Sequence, residues 1–330
     1  MQISFEAIKK ATNGVIDTFV ENGRLNFRRF TDKQLKYFAD TLNSMNKPSK
    51  ATATSSVIID FYTDATELKG SFYCTRATTR AQCFLDVYVN GQMVTHAGEM
   101  LNEEKADFNL TFNTYLGDGE KRVTIFLPNL FKAELQSLTL KGGQKFTPVK
   151  KDKNVIFFGD SITQGYTSDF ASYTYVNRLA YKNNWKALNM GLGATIFDCA
   201  DLDENLPFAP EEIFIAYGTN DWIKSPNLSG LMSEYLTKLQ SIYKGVKINL
   251  ITPVWRGDVT EVQNGNGEKQ SFSDLQAQIK GVAKEFDNLT VIDGLKLIPH
   301  YPDYFREDLL HPNDLGFLLY AESLTKELEL

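Results

Sequence analysis

The chain has 330 residues, 42% of them hydrophobic and 23% charged, a balance that excludes disordered, collagen-like and small disulfide-stapled classes. At roughly 150 residues per domain it suggests two domains. Its net charge of −6 divides unevenly: residues 1–150 carry 19 Lys+Arg against 16 Asp+Glu, residues 151–330 carry 16 against 25, and neither half has the basic run or stripe that marks a nucleic-acid binder.

The longest apolar runs, such as 155–158 and 213–217, fall far short of the roughly 20 residues a membrane helix needs, so no span of a bilayer is expected. The start, MQISFEAIKKATNG, lacks a basic segment followed by an apolar core and so shows no signal peptide. Cys74, Cys83 and Cys199 are too few and too scattered for a disulfide framework or a paired-cysteine zinc site. Both observations lead to the expectation of a cytoplasmic protein.

In chain order, the first expected element is a helix capped by Thr31 or Asp32, with Leu35, Phe38, Leu42 and Met45 at helical spacing and Pro48 ending it. It is expected to be the one helix of residues 1–150 and to pack on a sandwich. Strands follow. In 56–63, Val57, Ile59 and Phe61 alternate with Ile58, Asp60 and Tyr62, and in 83–89, Phe84, Asp86 and Tyr88 interleave with Leu85, Val87 and Val89. Asn90-Gly91 is a two-residue hairpin signal, because both turn positions favour positive φ, and Gly117-Asp118-Gly119 forms a second turn between 107–115 and 121–127. Strands punctuated by turns, with no helical pattern between them, predict an antiparallel β-sandwich over residues 1–150.

The rhythm changes near residues 150–154. Short apolar runs at 155–158, 187–189, 213–217, 247–251 and 290–292 alternate with amphipathic stretches at about 172–183, 228–244, 272–286 and from about Asn313. This is the pattern of an α/β unit with a parallel sheet covered on both faces, assigned to residues 151–330. Ligands of such sheets bind beyond the carboxyl ends of the strands.

Chemistry is therefore sought just after each run. Gly159-Asp160-Ser161 places a serine between a buried strand and a helix start, which suits a nucleophile, although a lone Ser161 or Thr163 in that setting is more often a helix cap. Gly191-Leu192-Gly193 and Gly218-Thr219-Asn220-Asp221 supply backbone and side-chain amides of the kind that hold an oxyanion. Asp308-Leu309-Leu310-His311 offers a base and its orienter in one loop. His96 and His300 have no acidic or serine partner at a strand end and read as surface or packing residues. Trp222, Trp255 and Arg256 follow two of the runs and are candidates to line a substrate pocket.

Gly-Asp-Ser, the paired-glycine block, Gly-x-Asn-Asp and Asp-x-x-His, in this order and each at a strand end, resemble the four signature blocks of the SGNH (GDSL-like) hydrolase family over residues of roughly 154–330. The resemblance implies a flavodoxin-like three-layer α/β/α fold, with Ser161 as nucleophile and first oxyanion donor, Gly193 and Asn220 as the other donors, His311 as base and Asp308 as its orienter. It implies no metal or organic cofactor. Phrases in the first half, among them Asp60-Phe61-Tyr62-Thr63-Asp64 and Arg122-Val123-Thr124-Ile125-Phe126-Leu127-Pro128, are similar to the jelly-roll-like β-sandwich that precedes the hydrolase domain in a group of bacterial SGNH esterases, an architecture like that of two-domain carbohydrate esterases. A small-molecule or oligosaccharide ester, with a short acyl group such as acetyl, is the expected substrate. A lysophospholipase, thioesterase or acyltransferase with the same triad, and a carbohydrate-binding module with secondary hydrolase activity, are the competing readings.

Overall fold

The computed structural model describes residues 1–102, 106–225, 227–263 and 269–330. The first half holds two antiparallel sheets. One joins Thr12–Asn13, Ile58–Thr63, Lys121–Phe126, Gln82–Val89 and Gln92–Met100 in that order, with Thr147–Pro148 also on Ile58–Thr63, and the other joins Asp17–Glu21, Arg24–Arg28, Phe131–Lys141, Glu67–Arg76 and Asp107–Tyr115. Their inward residues, Ile59, Phe61, Leu85, Val87, Val123 and Ile125 from the first and Leu68, Phe72, Leu110, Leu135 and Leu138 from the second, share one buried core. The Asn90-Gly91 turn is present, with Asn90 at φ 47° and Gly91 at φ 89°.

The helical part of this half departs from expectation in three ways. Thr31 does cap Asp32–Thr41, in a full capping box with Gln34, but Phe5–Ala11, capped by Ser4, and Lys47–Ala51 are helices too. Pro48 opens the last of these instead of ending the one before it, because the first turn of a helix has no use for the missing N–H. And Phe38, with Phe30 and Ala51, is buried in the core beneath the parallel sheet of the second half, not in the sandwich.

That parallel sheet has the order Trp185–Asn189, Lys153–Gly159, Glu212–Ala216, Lys247–Ile251, Leu289–Ile292. Its period of two sorts the side chains. Ile156, Phe158, Ile213, Ile215, Ile248 and Leu250 face the helices Leu228–Ile242 and Phe272–Ala283. Val155, Phe157, Phe214, Ile251 and Ile292 face Tyr175–Lys182 and Asp314–Glu327. Burial on both faces is why these strands read as continuous apolar runs. Strand order reverses between Lys153–Gly159 and Glu212–Ala216, which opens a crevice at their carboxyl ends. Among the described residues, no helix is long and apolar enough to cross a membrane.

The halves meet over polar as well as apolar contacts. Ile58, Tyr88 and Phe126 of the first sheet pack on Ala171 and Tyr181. The fully buried Asp60 carboxylate accepts hydrogen bonds from Arg122, Thr124 and Lys151 at 2.5–3.0 Å. Arg29, also fully buried, donates to the Ala53 carbonyl at 2.9 Å and to the Asn189 carbonyl at 2.5 Å.

Candidate active site

Gly159 ends the strand Lys153–Gly159 where a side chain would collide with Thr163: a Cβ there would stand 2.0 Å from its Oγ1. The turn that follows, Ser161–Gln164, is capped by Asp160, whose Oδ1 accepts from the Ile162 amide at 2.9 Å. Ser161 is therefore not the cap, and its hydroxyl is directed elsewhere. Its Oγ lies 2.9 Å from His311 Nε2.

His311 stands in a loop ahead of the helix Asp314–Glu327, and its Nδ1 is 2.7 Å from Asp308 Oδ2. The other carboxylate oxygen, Oδ1, accepts from the backbone amides of Leu310 at 3.1 Å and His311 at 2.9 Å. Leu309, between Asp308 and Leu310, adopts φ 49°, a left-handed conformation that costs a side chain energy and lets the loop close on itself. Partial burial would by itself raise the Asp308 pKa. The hydrogen bonds from the His311 side chain and backbone and from Leu310 outweigh it and hold the carboxyl well below the usual carboxylate range.

The donor side of the site is built from the next two strands. Asn189, at the end of its strand, is fully buried and anchors its block: its amide donates to Thr163 O at 2.7 Å and Ser56 Oγ at 2.9 Å, and its Oδ1 accepts from Gly191 N at 2.8 Å. Gly191 has no room for a side chain, since a Cβ would come within 2.5 Å of the Gln164 amide nitrogen. Gly193 N donates to Gln164 Oε1 at 2.8 Å, and Asn220 Nδ2 donates to Thr195 O at 3.1 Å, leaving Asn220 its second N–H. Asp221 is the brace of its block, accepting from Phe197 N at 2.9 Å and Gly218 N at 3.1 Å. Burial pushes the Asp160 carboxyl up to about 6 and that of Asp221 up to about 7.

The structure thus brings Ser161, His311 and Asp308 into a hydrogen-bonded chain, with Gly193 and Asn220 on the adjoining strand ends. The expected pocket residues sit differently. Trp222 is buried against Phe272, and Arg256 is buried in a forked pair with Asp258 while donating to Thr219 O at 3.1 Å. Both brace the Gly-Thr-Asn-Asp block from behind. Trp255, partly exposed, stacks on His300 and packs edge-on against Phe305. His96 does have an acidic partner, Asp86 at 2.7 Å, directly across the hairpin; the alternate spacing of the two strands about Asn90-Gly91 carried that signal.

Sequence reasoning missed the side chains that reach the triad from the first half. Arg80, in the loop between Glu67–Arg76 and Gln82–Val89, donates to Asp308 Oδ2 at 3.1 Å. Its guanidinium lies 4.7 Å from the Tyr166 ring, which in turn is 5.1 Å from the His311 ring. Thr79 and Tyr166 are joined through their hydroxyls. An isolated arginine in a loop has no local pattern that would mark it.

Residues 157–318 match the model of the GDSL-like Lipase/Acylhydrolase family. The second half is a GDSL-like acylhydrolase domain. The protein that carries this acylhydrolase domain is accordingly an ester-bond hydrolase. No curated protein matches the chain. Among solved structures, a salicylyl-acyltransferase, SsfX3, from a tetracycline biosynthetic pathway superposes with a TM-score of 0.78 at 20% identity, over 96% of this chain and 93% of that one. A putative GDSL-like lipase from Bacteroides ovatus gives 0.72 at 18%, over 98% and 97%. A family two carbohydrate esterase from Clostridium thermocellum, in complex with cellohexaose, gives 0.63 at 15%, over 84% and 93%. At these identities the likeness is one of fold, and it extends beyond the acylhydrolase domain into the β-rich first half.

Proposed function

We propose that the protein is a serine esterase that removes short acyl groups, acetyl foremost, from carbohydrate esters. The hydrogen-bonded series Ser161–His311–Asp308 carries this reading. Ser161 Oγ attacks the ester carbonyl as His311 Nε2 takes its proton, and Asp308 holds the imidazole with Nδ1–H toward its own Oδ2. The negative charge that develops on the carbonyl oxygen is met by the Ser161 amide and the free N–H of Asn220, joined by Gly193 once its amide turns from Gln164. His311 then returns the proton to the leaving alcohol, and water, deprotonated by the same imidazole, releases the acid from the acyl-enzyme. All the groups in this sequence belong to the chain.

Two features support a small acyl group and a sugar alcohol. Ser161 and His311 are only 8% and 9% exposed, which leaves little room beside the nucleophile for a long chain. The carbohydrate esterases among the similar folds share the two-part architecture. Transfer of the acyl group to an alcohol other than water is the second reading, favoured by the acyltransferase whose fold spans nearly the whole chain.

The test is release of acid from acetylated sugars and from p-nitrophenyl esters of increasing chain length, with Ser161→Ala beside the wild type. Serine-dependent hydrolysis that peaks at acetyl and extends to the sugars is expected, with a loss in Ser161→Ala of about 10,000-fold or more. A Ser161→Ala protein that keeps most of its activity overturns the mechanism. A maximum at long chains overturns the substrate.

A further inference from the structure

Asp308 Oδ2 is shared. It receives His311 Nδ1 at 2.7 Å and, from the β-sandwich, the Arg80 guanidinium at 3.1 Å, while Oδ1 is filled by two backbone amides. We propose that Arg80 is a positioning residue for the catalytic series, supplied by the first half of the chain, that fixes the Asp308 carboxylate and keeps His311 neutral, and so able to act as a base, to lower pH. The inference rests on the triad reading given above.

Arg80 is well placed for this role. Its loop is pinned at several points: Ala77 N donates to Leu130 O and Ser49 Oγ to Ala77 O, Arg80 N donates to Thr78 Oγ1 at 3.2 Å, and Leu101 N donates to Ala81 O at 2.9 Å. One face of the guanidinium rests on Tyr166, 4.7 Å from the ring centroid, so the side chain is held by two groups of the hydrolase half while its backbone is fixed by its own loop. A planar fork stacked on an aromatic ring and bonded to a carboxylate suits arginine better than lysine.

The charge that His311 feels is set by the groups that face it. From its own loop come Asp308 and the backbone of Arg306, whose amide donates to His311 O while its guanidinium is engaged by Thr167 O, Asp169 and Asp314. From the serine turn comes Asp160, which interacts electrostatically with His311 and in turn feels Arg256 and Lys224. The phenol of Tyr166 lies across the ring, and the first half contributes Arg80. Among the cations of the described residues, Arg80 alone shares the carboxylate that would stabilise the imidazolium. Its charge therefore opposes protonation of His311, and its loss favours it.

The chain has three histidines, so imidazole NMR resolves them, with His311→Gln assigning the signal. The His311 titration is followed in wild type, Arg80→Gln and Arg80→Lys, alongside the acid limb of kcat/KM on p-nitrophenyl acetate and the thermal midpoint of each variant. In Arg80→Gln the His311 midpoint should rise by about half a pH unit to one unit, the scale of a single charge in a partly solvated site. On the acid limb this is a loss of about three- to tenfold, reduced in 1 M salt. Arg80→Lys should return the midpoint toward wild type. Reading the His311 imidazole directly keeps its signal apart from that of the Asp160 carboxyl, which burial pushes up to about 6. Unmoved midpoints in both variants, with activity lost equally at every pH, overturn the role of Arg80 and leave the triad intact. Full activity in Ser161→Ala overturns the triad itself.

Discussion

Asp308→Asn tests the triad through hydrogen-bond direction. In the native loop Asp308 Oδ1 accepts from two backbone amides, at 3.1 and 2.9 Å, and Oδ2 accepts from His311 Nδ1–H at 2.7 Å. An asparagine has one oxygen and one NH2, and the two arrangements are unequal. With the oxygen toward Leu310 N and His311 N both backbone bonds survive, and the NH2 then faces His311 Nδ1. That nitrogen must become an acceptor, so the ring carries its proton on Nε2 and presents a donor to Ser161 Oγ, which can no longer give up its proton. The reverse arrangement keeps the tautomer but sets an NH2 against two backbone donors. Two lost bonds at about 1 kcal/mol each, with their donors left partly buried, favour the first arrangement. Arg80 adds no preference for either amide group strong enough to reverse this, since it contributes one bond at 3.1 Å against two. A wrong-tautomer enzyme of this kind loses about 10,000-fold in kcat, or about 5.4 kcal/mol of transition-state stabilisation. The assay is kcat on p-nitrophenyl acetate across pH, with urea denaturation as the check on folding. A loss below tenfold in a folded variant refutes the assignment of Asp308 as orienter.

Further outcomes follow from the same geometry. Asn220→Ala removes one side-chain oxyanion donor and should lower kcat by about 100- to 1000-fold with a smaller change in KM, measured on the same ester; an effect confined to KM would place Asn220 in ground-state binding. Asp201, 7% exposed, has its carboxyl pushed up to about 7 by burial, against the opposing charge of Lys47. A carboxyl whose folded value lies above its unfolded value near 3.9 holds its proton more tightly when folded, so its contribution to stability is complete below about pH 4 and is lost as the pH rises through 7. Asp201→Asn should therefore flatten the decline in urea midpoint between about pH 4 and 7, and an unchanged slope would mean that Asp201 stays ionised beside Lys47.

The parallel sheet was legible in the sequence because both of its faces are buried, so each strand is an unbroken apolar run such as 155–158. The four blocks at its strand ends were legible because their chemistry demands particular residue types. The sandwich was harder. Phe131–Lys141 breaks register between Leu135 and Ser137, and this bulge replaces strict alternation with Leu135, Leu138 and Leu140, a spacing that no longer reads as a strand. Glu67–Arg76 places Gly70 and Cys74 on the buried side, where they add little apolar signal. Phe5–Ala11 is seven residues long, too short for helical periodicity to emerge. The contacts of Arg80 with Asp308 and of Tyr166 with His311 join segments more than 80 residues apart, and a one-dimensional pattern holds no trace of that. Gly193 shows a different limit: its place in the site was legible, while the bond from its amide to Gln164 was not.

The burial of Phe30, Phe38 and Ala51 under the parallel sheet has a consequence for how such a chain can be cut and recombined. A break near residue 150 falls between two sequence patterns but does not fall between two cores. The downstream fragment would keep Ser161, Asn220, Asp308 and His311, yet lose three apolar plugs from beneath its own sheet and the Arg29 side chain that grips the Asn189 carbonyl. The upstream fragment would carry those same groups into water, with the guanidinium of Arg29 stripped of an acceptor. Recombination at that point exchanges half of a shared interior, so a viable shuffled gene must carry residues 29–53 along with the hydrolase sequence they complete.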